Sequence, residues 1–257
     1  GENIEAPIAP FNICTLYPRF CPDIENIYIA AADLWYTSNT VDSIKIAAYE
    51  RQGISVNYLT DMTVNVGDSI YNRPMINDSD VLGFISADAR SAQNPDNNSG
   101  EAMIFISNLG DTTVKVSSYI WSITTYSSDK GSVHMWASSP VPEELPFPGE
   151  NGRVIYGNNL MTVGSPATGK KIISVGAYVT RKEWIDIDDK TQTKGTAQLN
   201  QLSGFSSRGP SRDGRTVPII TAPGEVIMSA LSTDLHEGAG YQRKDVLKGG
   251  GYRAMSG

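Results

Sequence analysis

The sequence predicts a mainly β protein in which an antiparallel, jelly-roll-like β-sandwich precedes an incomplete α/β segment with a parallel sheet. The chain has 24 glycines and 14 prolines among 257 residues, which suits a loop-rich β protein better than a helix bundle. Short segments rich in β-branched and aromatic residues alternate with polar turns up to about residue 138. A nearly continuous apolar run follows at residues 171–179, typical of a strand covered on both faces in a parallel sheet.

The predicted sandwich strands share a short length and, in several cases, a period-two alternation such as that at residues 43–46. A strong turn signal, Asn-Pro-Asp-Asn-Asn-Ser-Gly at residues 94–100, separates two of them. Strands at this spacing without helical periodicity favour a jelly-roll-type sandwich. The predicted strands are residues 27–36, 42–48, 54–59, 81–86, 101–108, 113–116, 119–126 and 132–137.

The later part of the chain predicts further short strands at residues 218–222 and 226–231, beside the run at 171–179. No long amphipathic helix lies between them, and an α/β sheet without covering helices is incomplete. We therefore expect a truncated domain whose apolar surface exceeds the roughly few hundred Å² usual on soluble monomers. Such a domain should be partly disordered, should pair its exposed sheet edge with another copy, or should pack against the sandwich.

The charge distribution predicts two structural units. Residues 1–150 carry 7 Lys and Arg against 19 Asp and Glu, whereas residues 151–257 carry 14 against 9. The change falls beside residues 139–149, where four prolines make helix or central strand implausible. We assign residues 1–150 to the sandwich with its lead-in and connector, and residues 151–257 to a second, incomplete domain.

The overall composition excludes several function classes. The net charge of −7 and the isoelectric point near 4.9 argue against general binding of nucleic acid or anionic lipid. No apolar run approaches the ~20 residues that cross a bilayer, so we expect no membrane span. No secretory leader opens the chain, although a trimmed chain would also lack one. Cys14 and Cys21 are too few for a disulfide scaffold, and either one local bridge or two free thiols fits them.

Residues 161–257 resemble the subtilisin-like serine proteases through an ordered series of motifs, each of which is weak alone. The sandwich segments 33–36, 101–108, 121–123 and 131–136 resemble the jelly-roll domain inserted in clostridial-type members. The motifs are Gly-Ser-Pro-Ala-Thr at 164–168, Gly-Phe-Ser-Ser-Arg-Gly-Pro at 204–210, Arg-Asp-Gly-Arg at 212–215, Thr-Ala-Pro-Gly at 221–224 and Tyr-Arg-Ala-Met-Ser-Gly at 252–257.

The resemblance implies a Ser-His-Asp triad in an intact enzyme, but no catalytic residue within this chain. Gly257 matches the glycine of the family's Gly-Thr-Ser element, which places the nucleophile two residues beyond it. His134 and His236 both lack the His-Gly-Thr context of the family's base, and we interpret them as surface or hydrogen-bonded histidines. Without nucleophile, base and orienting acid, acyl transfer cannot proceed, so we expect this polypeptide alone to hydrolyse nothing.

The resemblance also assigns a substrate-binding role to Gly164, Ser165, Pro166 and Ala167, as a wall of the primary specificity pocket. Small side chains there let a substrate side chain approach the backbone, and Pro166 stiffens the turn. The alternative is that these residues simply form the turn before a buried strand. We expect segments 205–210 and 221–224, which include an Ala-Pro-Gly turn, to be architectural.

The sequence therefore predicts a segment of a subtilisin-like serine endopeptidase, secreted or envelope-associated, acting on peptide or protein substrates. Its other expected partner is the remainder of the peptidase domain. A non-catalytic pseudoprotease is one alternative. An unrelated β-sandwich adhesion or sugar-binding module, with Trp35, Trp121 and Trp136 stacking on sugar rings, is another.

No metal site or cofactor is predicted. The acidic clusters at residues 186–189 and 96–98 offer oxygen ligands to calcium, but neither has the spacing of an EF-hand loop. We interpret both clusters as solvated surface acids.

Overall fold

The computed structural model describes residues 4–8, 11–12, 26–37, 39–53, 55–90, 98–129, 131–138, 153–154, 157–232, 234 and 241–256. The chain divides into two compact units, Gly1–Asn158 and Asn159–Gly257. Both are built from strands, and the helices of the described part are two single 3-10 turns, Val116–Ser118 and Arg243–Asp245. Neither turn is long enough to cross a membrane.

The strands of the first unit form two sheets. In chain order they are β1 (Ile4–Ile8), β2 (Phe11–Asn12), β3 (Tyr28–Thr37), β4 (Ser43–Gln52), β5 (Ser55–Asn65), β6 (Ser69–Asn77), β7 (Asp80–Arg90), β8 (Ser99–Ser107), β9 (Tyr119–Tyr126), β10 (Val133–Ala137) and β11 (Arg153–Val154). One sheet has the order β11-β1-β9-β4-β5, and the other has the order β10-β3-β8-β7-β6 with β2 paired to β3.

The larger of two apolar clusters joins the two sheets, which makes this unit a β-sandwich. It includes Leu34 and Ile104 from one sheet and Ile46 and Trp121 from the other, all at most 1% exposed. Along β3, alternate residues from Ala30 onward are buried, as expected for a strand with one face on a core. The mainly β class and the predicted strands at β3, β4, β5, β7, β8, β9 and β10 are confirmed.

The predicted strand at residues 113–116 is wrong. Asp111 Oδ1 accepts hydrogen bonds from Thr113 N at 2.8 Å and from Thr113 Oγ1 at 2.6 Å. Val114 N donates to Asp111 O, and the 3-10 turn begins at Val116. An aspartate side chain that captures the backbone two residues later favours a turn over a strand, and it overrides the local alternation.

The second unit contains three two-stranded sheets in its described part. Its strands are β12 (Val175–Val179), β13 (Glu183–Ile185), β14 (Thr191–Thr193), β15 (Ile220–Glu225), β16 (Ile227–Ala230) and β17 (Tyr252–Met255). β12 pairs with β15 in parallel, whereas the pairs β13–β14 and β16–β17 are antiparallel. The prediction of parallel pairing in this part of the chain is confirmed.

The strand predicted at residues 171–179 begins only at Val175, opposite Ile220, because its partner β15 also begins there. Pro218 lacks a backbone donor, which explains why β15 starts after it. The Ala-Pro-Gly segment predicted as a turn is instead extended within β15. The described residues do not cover both faces of this pair, since Val175 is 50% exposed and Ile220 49%.

Candidate substrate cleft

A cleft of about 400 Å³ lies along the β12–β15 pair. Two of the four predicted substrate-binding residues, Gly164 and Ala167, line it. The remaining lining residues come from the two strands and from two loop segments. They are Val163, Ser174, Val175, Gly176, Ala177, Phe205, Ser206, Ser207, Pro218, Ala222, Pro223 and Gly224.

Residues 164–169 form a closed turn at the wall of the cleft. Thr168 N donates to Gly164 O at 3.2 Å, and Gly169 N donates to Pro166 O at 2.9 Å. Ser165 and Pro166 are exposed on this turn and are not among the residues lining the cleft. A Cβ added to Gly164 would meet nothing within 4 Å, so there is open space beside this glycine. Gly164 and Ala167 are thus the residues of the turn that border the cleft.

Two sets of hydrogen bonds tie this turn to other segments of the second unit. Before the turn, Thr162 N donates to Arg208 O, and Arg208 N donates back to Thr162 Oγ1, both at 2.9 Å. At its end, Arg215 Nη2 donates to Thr168 O at 2.5 Å. The motif at 204–210 and the motif at 212–215 thus both hold the Gly-Ser-Pro-Ala turn.

The floor of the cleft depends on two glycines that let β12 and β15 lie close together. A Cβ on Gly224 would lie 2.7 Å from the Cβ of Ala177, closer than real side chains approach. A Cβ on Gly176 would lie 3.3 Å from Pro218 Cγ and from Ser206 Oγ. Residues with side chains at these positions would push the two strands or the loop apart.

The serine hydroxyls of the cleft differ in their partners. Ser206 Oγ accepts a hydrogen bond from Ala177 N at 3.0 Å and fixes the 203–206 loop against β12. Ser174, only 5% exposed, also lines the cleft, and its Oγ has no hydrogen-bond partner among the described residues. Behind them, Ser203 Oγ donates to Oε2 of the buried Glu225 at 2.6 Å. Ser174 is thus a polar wall atom without a protein partner in the described structure.

Sequence reasoning missed part of this cleft. It assigned segments 205–210 and 221–224 an architectural role, yet Phe205 lines the cleft and is 51% exposed. An apolar aromatic side chain among small polar neighbours was the available signal. Ser174 carried no such signal, because its lack of a partner depends on the folded structure.

The one histidine among the described residues belongs to the sandwich. His134 lies on β10 of the sandwich, where its ring stacks on Trp136 with centroids 6.1 Å apart. His236 lies outside the described residues, as do Cys14, Cys21, Gly257, the connector at 139–149 and the acidic pair 96–97.

The acidic cluster at 186–189 uses its carboxylates within the protein. Asp186 Oδ1 accepts from the backbone N–H groups of Asp188 and Lys190, and its pKa is lowered chiefly by the Lys190 bond. Arg243 donates to Asp188 and lowers its pKa, and Lys248 pairs with Asp189. Within the described residues, no three His, Cys, Asp or Glu side chains cluster in a way that could hold a metal ion.

The tryptophans also differ in their surroundings. Trp121 is fully buried and donates its Nε1–H to Val116 O at 3.3 Å. Trp35 and Trp136 are half-buried on β3 and β10, away from the shared core. Of the three tryptophans considered for sugar stacking, Trp35 and Trp136 are therefore the two with the exposure that stacking on a ligand would require.

Comparison with known proteins agrees with the motif series. An uncharacterized protein of Aquifex aeolicus (strain VF5), aq_aa18, is 37% identical over 76 residues, 30% of this chain. The aligned part is 31% of that protein, so the chain spans less than a third of the relative that it matches. No solved structure matches the chain. The sequence model of the subtilase family, Peptidase_S8, matches residues 46–257, and the chain therefore belongs to the subtilase family of serine peptidases.

Proposed function

We propose that this chain is a segment of a subtilisin-like serine endopeptidase and supplies the wall and floor of its substrate cleft. The observation that carries the proposal is the position of Gly164 and Ala167 beside the segments at 205–207 and 222–224. These residues belong to the motifs by which the chain resembles subtilases, and they are far apart in sequence. Gathering them around one opening supports a binding role over a mere turn.

The role of this chain in the reaction is to bind and orient the substrate. In a subtilase the seryl hydroxyl attacks the peptide carbonyl, a histidine takes and returns the proton, and an aspartate orients the histidine. We propose that these three groups come from outside this chain and that the chain alone is inactive. Gly164 and Ala167, on the turn that Ser165 and Pro166 complete, receive a substrate side chain, and Phe205 offers it an apolar face. Neither a cofactor nor calcium is needed for these steps.

The partners of the second unit follow from its exposed apolar side chains. Ile173 is 73% exposed and Ile219 68%. Large apolar side chains with this much exposure often mark a surface that another protein or domain covers. We propose that the remainder of the peptidase domain covers them and that, in its absence, a second copy does so. An extracellular or cell-envelope location fits this function.

The test compares the full-length gene product with the present chain on a series of fluorogenic peptides. We expect hydrolysis, blocked by a serine-directed phosphonate, from the full-length protein and none from the chain. Gly164→Val should exclude large substrate side chains without unfolding, since nothing lies within 4 Å of the added Cβ. Gly195→Val is the matched control, because that glycine also has open space around it and does not line the cleft.

The outcome separates the endopeptidase from its alternatives. A full-length protein that lacks the triad and binds peptides without cleaving them would be a pseudoprotease. Binding of glycans that depends on Trp35 and Trp136, with no effect of peptides, would favour the sugar-binding sandwich. Equal activity of the Gly164→Val and wild-type proteins on large and small side chains would remove the turn from the substrate site.

A further inference from the structure

The loop Ser211–Arg215 holds the Arg215 guanidinium, which contacts the turn at residues 164–169. Arg215 Nε donates to Asp213 Oδ2 at 2.8 Å, while Arg215 Nη2 donates to Thr168 O at 2.5 Å. One planar group therefore bridges a carboxylate of its own loop and a carbonyl of the cleft wall, 47 residues away in sequence. A lysine ammonium lacks this forked geometry.

Backbone and side-chain bonds fix the position of this guanidinium. Ser211 is 4% exposed, and its Oγ donates to Asp213 Oδ1 at 2.5 Å and accepts from Arg215 N at 3.1 Å. Ser211 N donates to Arg215 O at 2.9 Å, and Gly214 adopts a positive φ of 81° that closes the loop. The carboxylate of Asp213 is thus held on both oxygens, and it holds Arg215 in turn.

The contribution of this ion pair to stability is expected to be small. The Arg215 and Asp213 side chains are 35% and 49% exposed, and pairs this exposed add little to folding because water screens them. The geometry points instead to a role in fixing the conformation of the turn at residues 164–169. The bonded carbonyl belongs to Thr168, which directly follows the cleft-lining Ala167 and donates its own N–H to Gly164 O.

We propose that Asp213 and Arg215 are positioning residues that hold the turn at 164–169 in the form that receives a substrate side chain. The inference rests on the proposed function, because it gives the held turn a substrate. Hydrogen bonds donated by Thr168 N and Gly169 N close the turn. Arg215 donates to the Thr168 carbonyl, which lies between these two N–H groups. Three bonds therefore converge on two residues beside the opening.

The ionic state of the pair supports this role over a wide pH range. The hydrogen bonds from Arg215 and Ser211 lower the pKa of Asp213 to about 2. Asp213 therefore stays ionised throughout the range of an ordinary peptidase assay. Any pH dependence of the wild-type enzyme near neutrality must come from other groups.

The first arm of the test is hydrogen exchange of the present chain. Arg215→Met keeps the aliphatic stem and removes the donors, and we expect the Thr168 and Gly169 amides to exchange about tenfold faster. The amides of β12 and β15 should be unaffected. Arg181→Met is the matched control, because Arg181 is an exposed arginine of the same unit. Arg215→Lys should not restore protection, because Lys cannot donate to Asp213 and Thr168 in the same forked geometry.

The second arm is steady-state kinetics of the full-length protein with the same substitutions. A turn that has lost its shape should raise KM about fivefold for substrates with a large side chain at the cleft while kcat changes less than about twofold. Asp213→Asn should give a smaller change of the same kind. A structural role alone would lower the amount of folded enzyme and reduce the apparent kcat instead.

The outcomes are separable. Unchanged exchange of Thr168 and Gly169 in Arg215→Met overturns the inference. Faster exchange with an unchanged KM in an active enzyme reduces the pair to a structural contact and also overturns it. If the wild-type full-length protein cleaves no peptide, the proposed function fails and the substrate role of the pair fails with it, whereas the exchange result still decides whether Arg215 holds the turn.

Discussion

The two units of the chain are stabilised in different ways. In the sandwich, large side chains such as Trp121, Leu34 and Ile104 are at most 1% exposed between two sheets. In the described part of the second unit the buried apolar side chains are only Val179, Ala197, Val226 and Val246. Large apolar side chains there, including Ile173 and Ile219, instead face solvent.

Polar bonds replace the missing core in the second unit. Asp186, Ser203, Ser206, Ser211 and Glu225 are all at most 6% exposed, and each makes a side-chain hydrogen bond. Such groups specify geometry, but each stabilises the fold only modestly because folding exchanges bonds to water for bonds within the protein. The sandwich is thus stabilised by its own core, whereas the described part of the second unit is held largely by polar bonds and exposes large apolar side chains.

The largest expected loss of stability comes from removing a large side chain from the sandwich core. Trp121→Ala removes a fully buried ring and the hydrogen bond from its Nε1–H to Val116 O, and such changes cost about 3–5 kcal/mol. Ile173→Ala, at a side chain 73% exposed, should change stability by less than about 0.5 kcal/mol. Urea unfolding followed by circular dichroism measures both. Comparable losses in the two variants would mean that Ile173 is packed in solution and that the contrast between the units is false.

A smaller and more informative contrast lies within the cleft. Ser206→Ala removes the side-chain acceptor of the half-buried Ala177 N and should cost about 0.5–1.5 kcal/mol. Ser174→Ala deletes a buried hydroxyl that has no described partner, so stability should stay level or rise by up to about 1 kcal/mol. Thermal unfolding of the two variants tests this pair. A destabilised Ser174→Ala would reveal a partner for that hydroxyl and remove it from the list of atoms available to a ligand.

The sequence predicted the sandwich better than it predicted the second unit, for a physical reason. A strand packed on one core carries its burial pattern in its own residues, as β3 and β8 do. β6 was missed because Met75 is its only fully buried residue and Pro74 interrupts it. Residues 113–116 were mistaken for a strand because alternation alone does not reveal the side-chain bond from Asp111.

The candidate site was predicted only where a motif marks it. The turn at 164–167 was assigned from its resemblance to subtilases, whose pattern of small residues and proline is local. The bond from Arg215 to Thr168 joins residues 47 positions apart, and the lack of a partner for Ser174 depends on which residues the fold brings around it. Long-range polar contacts of this kind have no period or spacing in the sequence.

The smallest expected effect distinguishes the units by their response to acid. In the second unit, hydrogen bonds from Lys190 N, Arg243 and Arg215 respectively lower the pKa values of Asp186, Asp188 and Asp213. In the first unit the described carboxyl with a lowered pKa is Asp111, in a surface turn. A lowered pKa means that the folded state favours the ionised form. The stabilisation from each carboxylate is present above pH 3.8, which is its pKa in the unfolded chain. It is lost as the pH falls through the lower pKa of the folded protein.

We therefore expect acid to loosen the second unit before the sandwich, between pH 3.8 and the pKa of about 2 for Asp213. NMR amide signals of β13 and β14 should weaken in that window while those of β3 and β8 persist. Asp186→Asn keeps an acceptor for the Lys190 N–H but cannot titrate, so the second unit should be less stable at pH 7 and less sensitive to pH below 4. Simultaneous loss of both sets of signals would mean that the two units unfold together. The difference between their interiors would then produce no difference in their stability to acid.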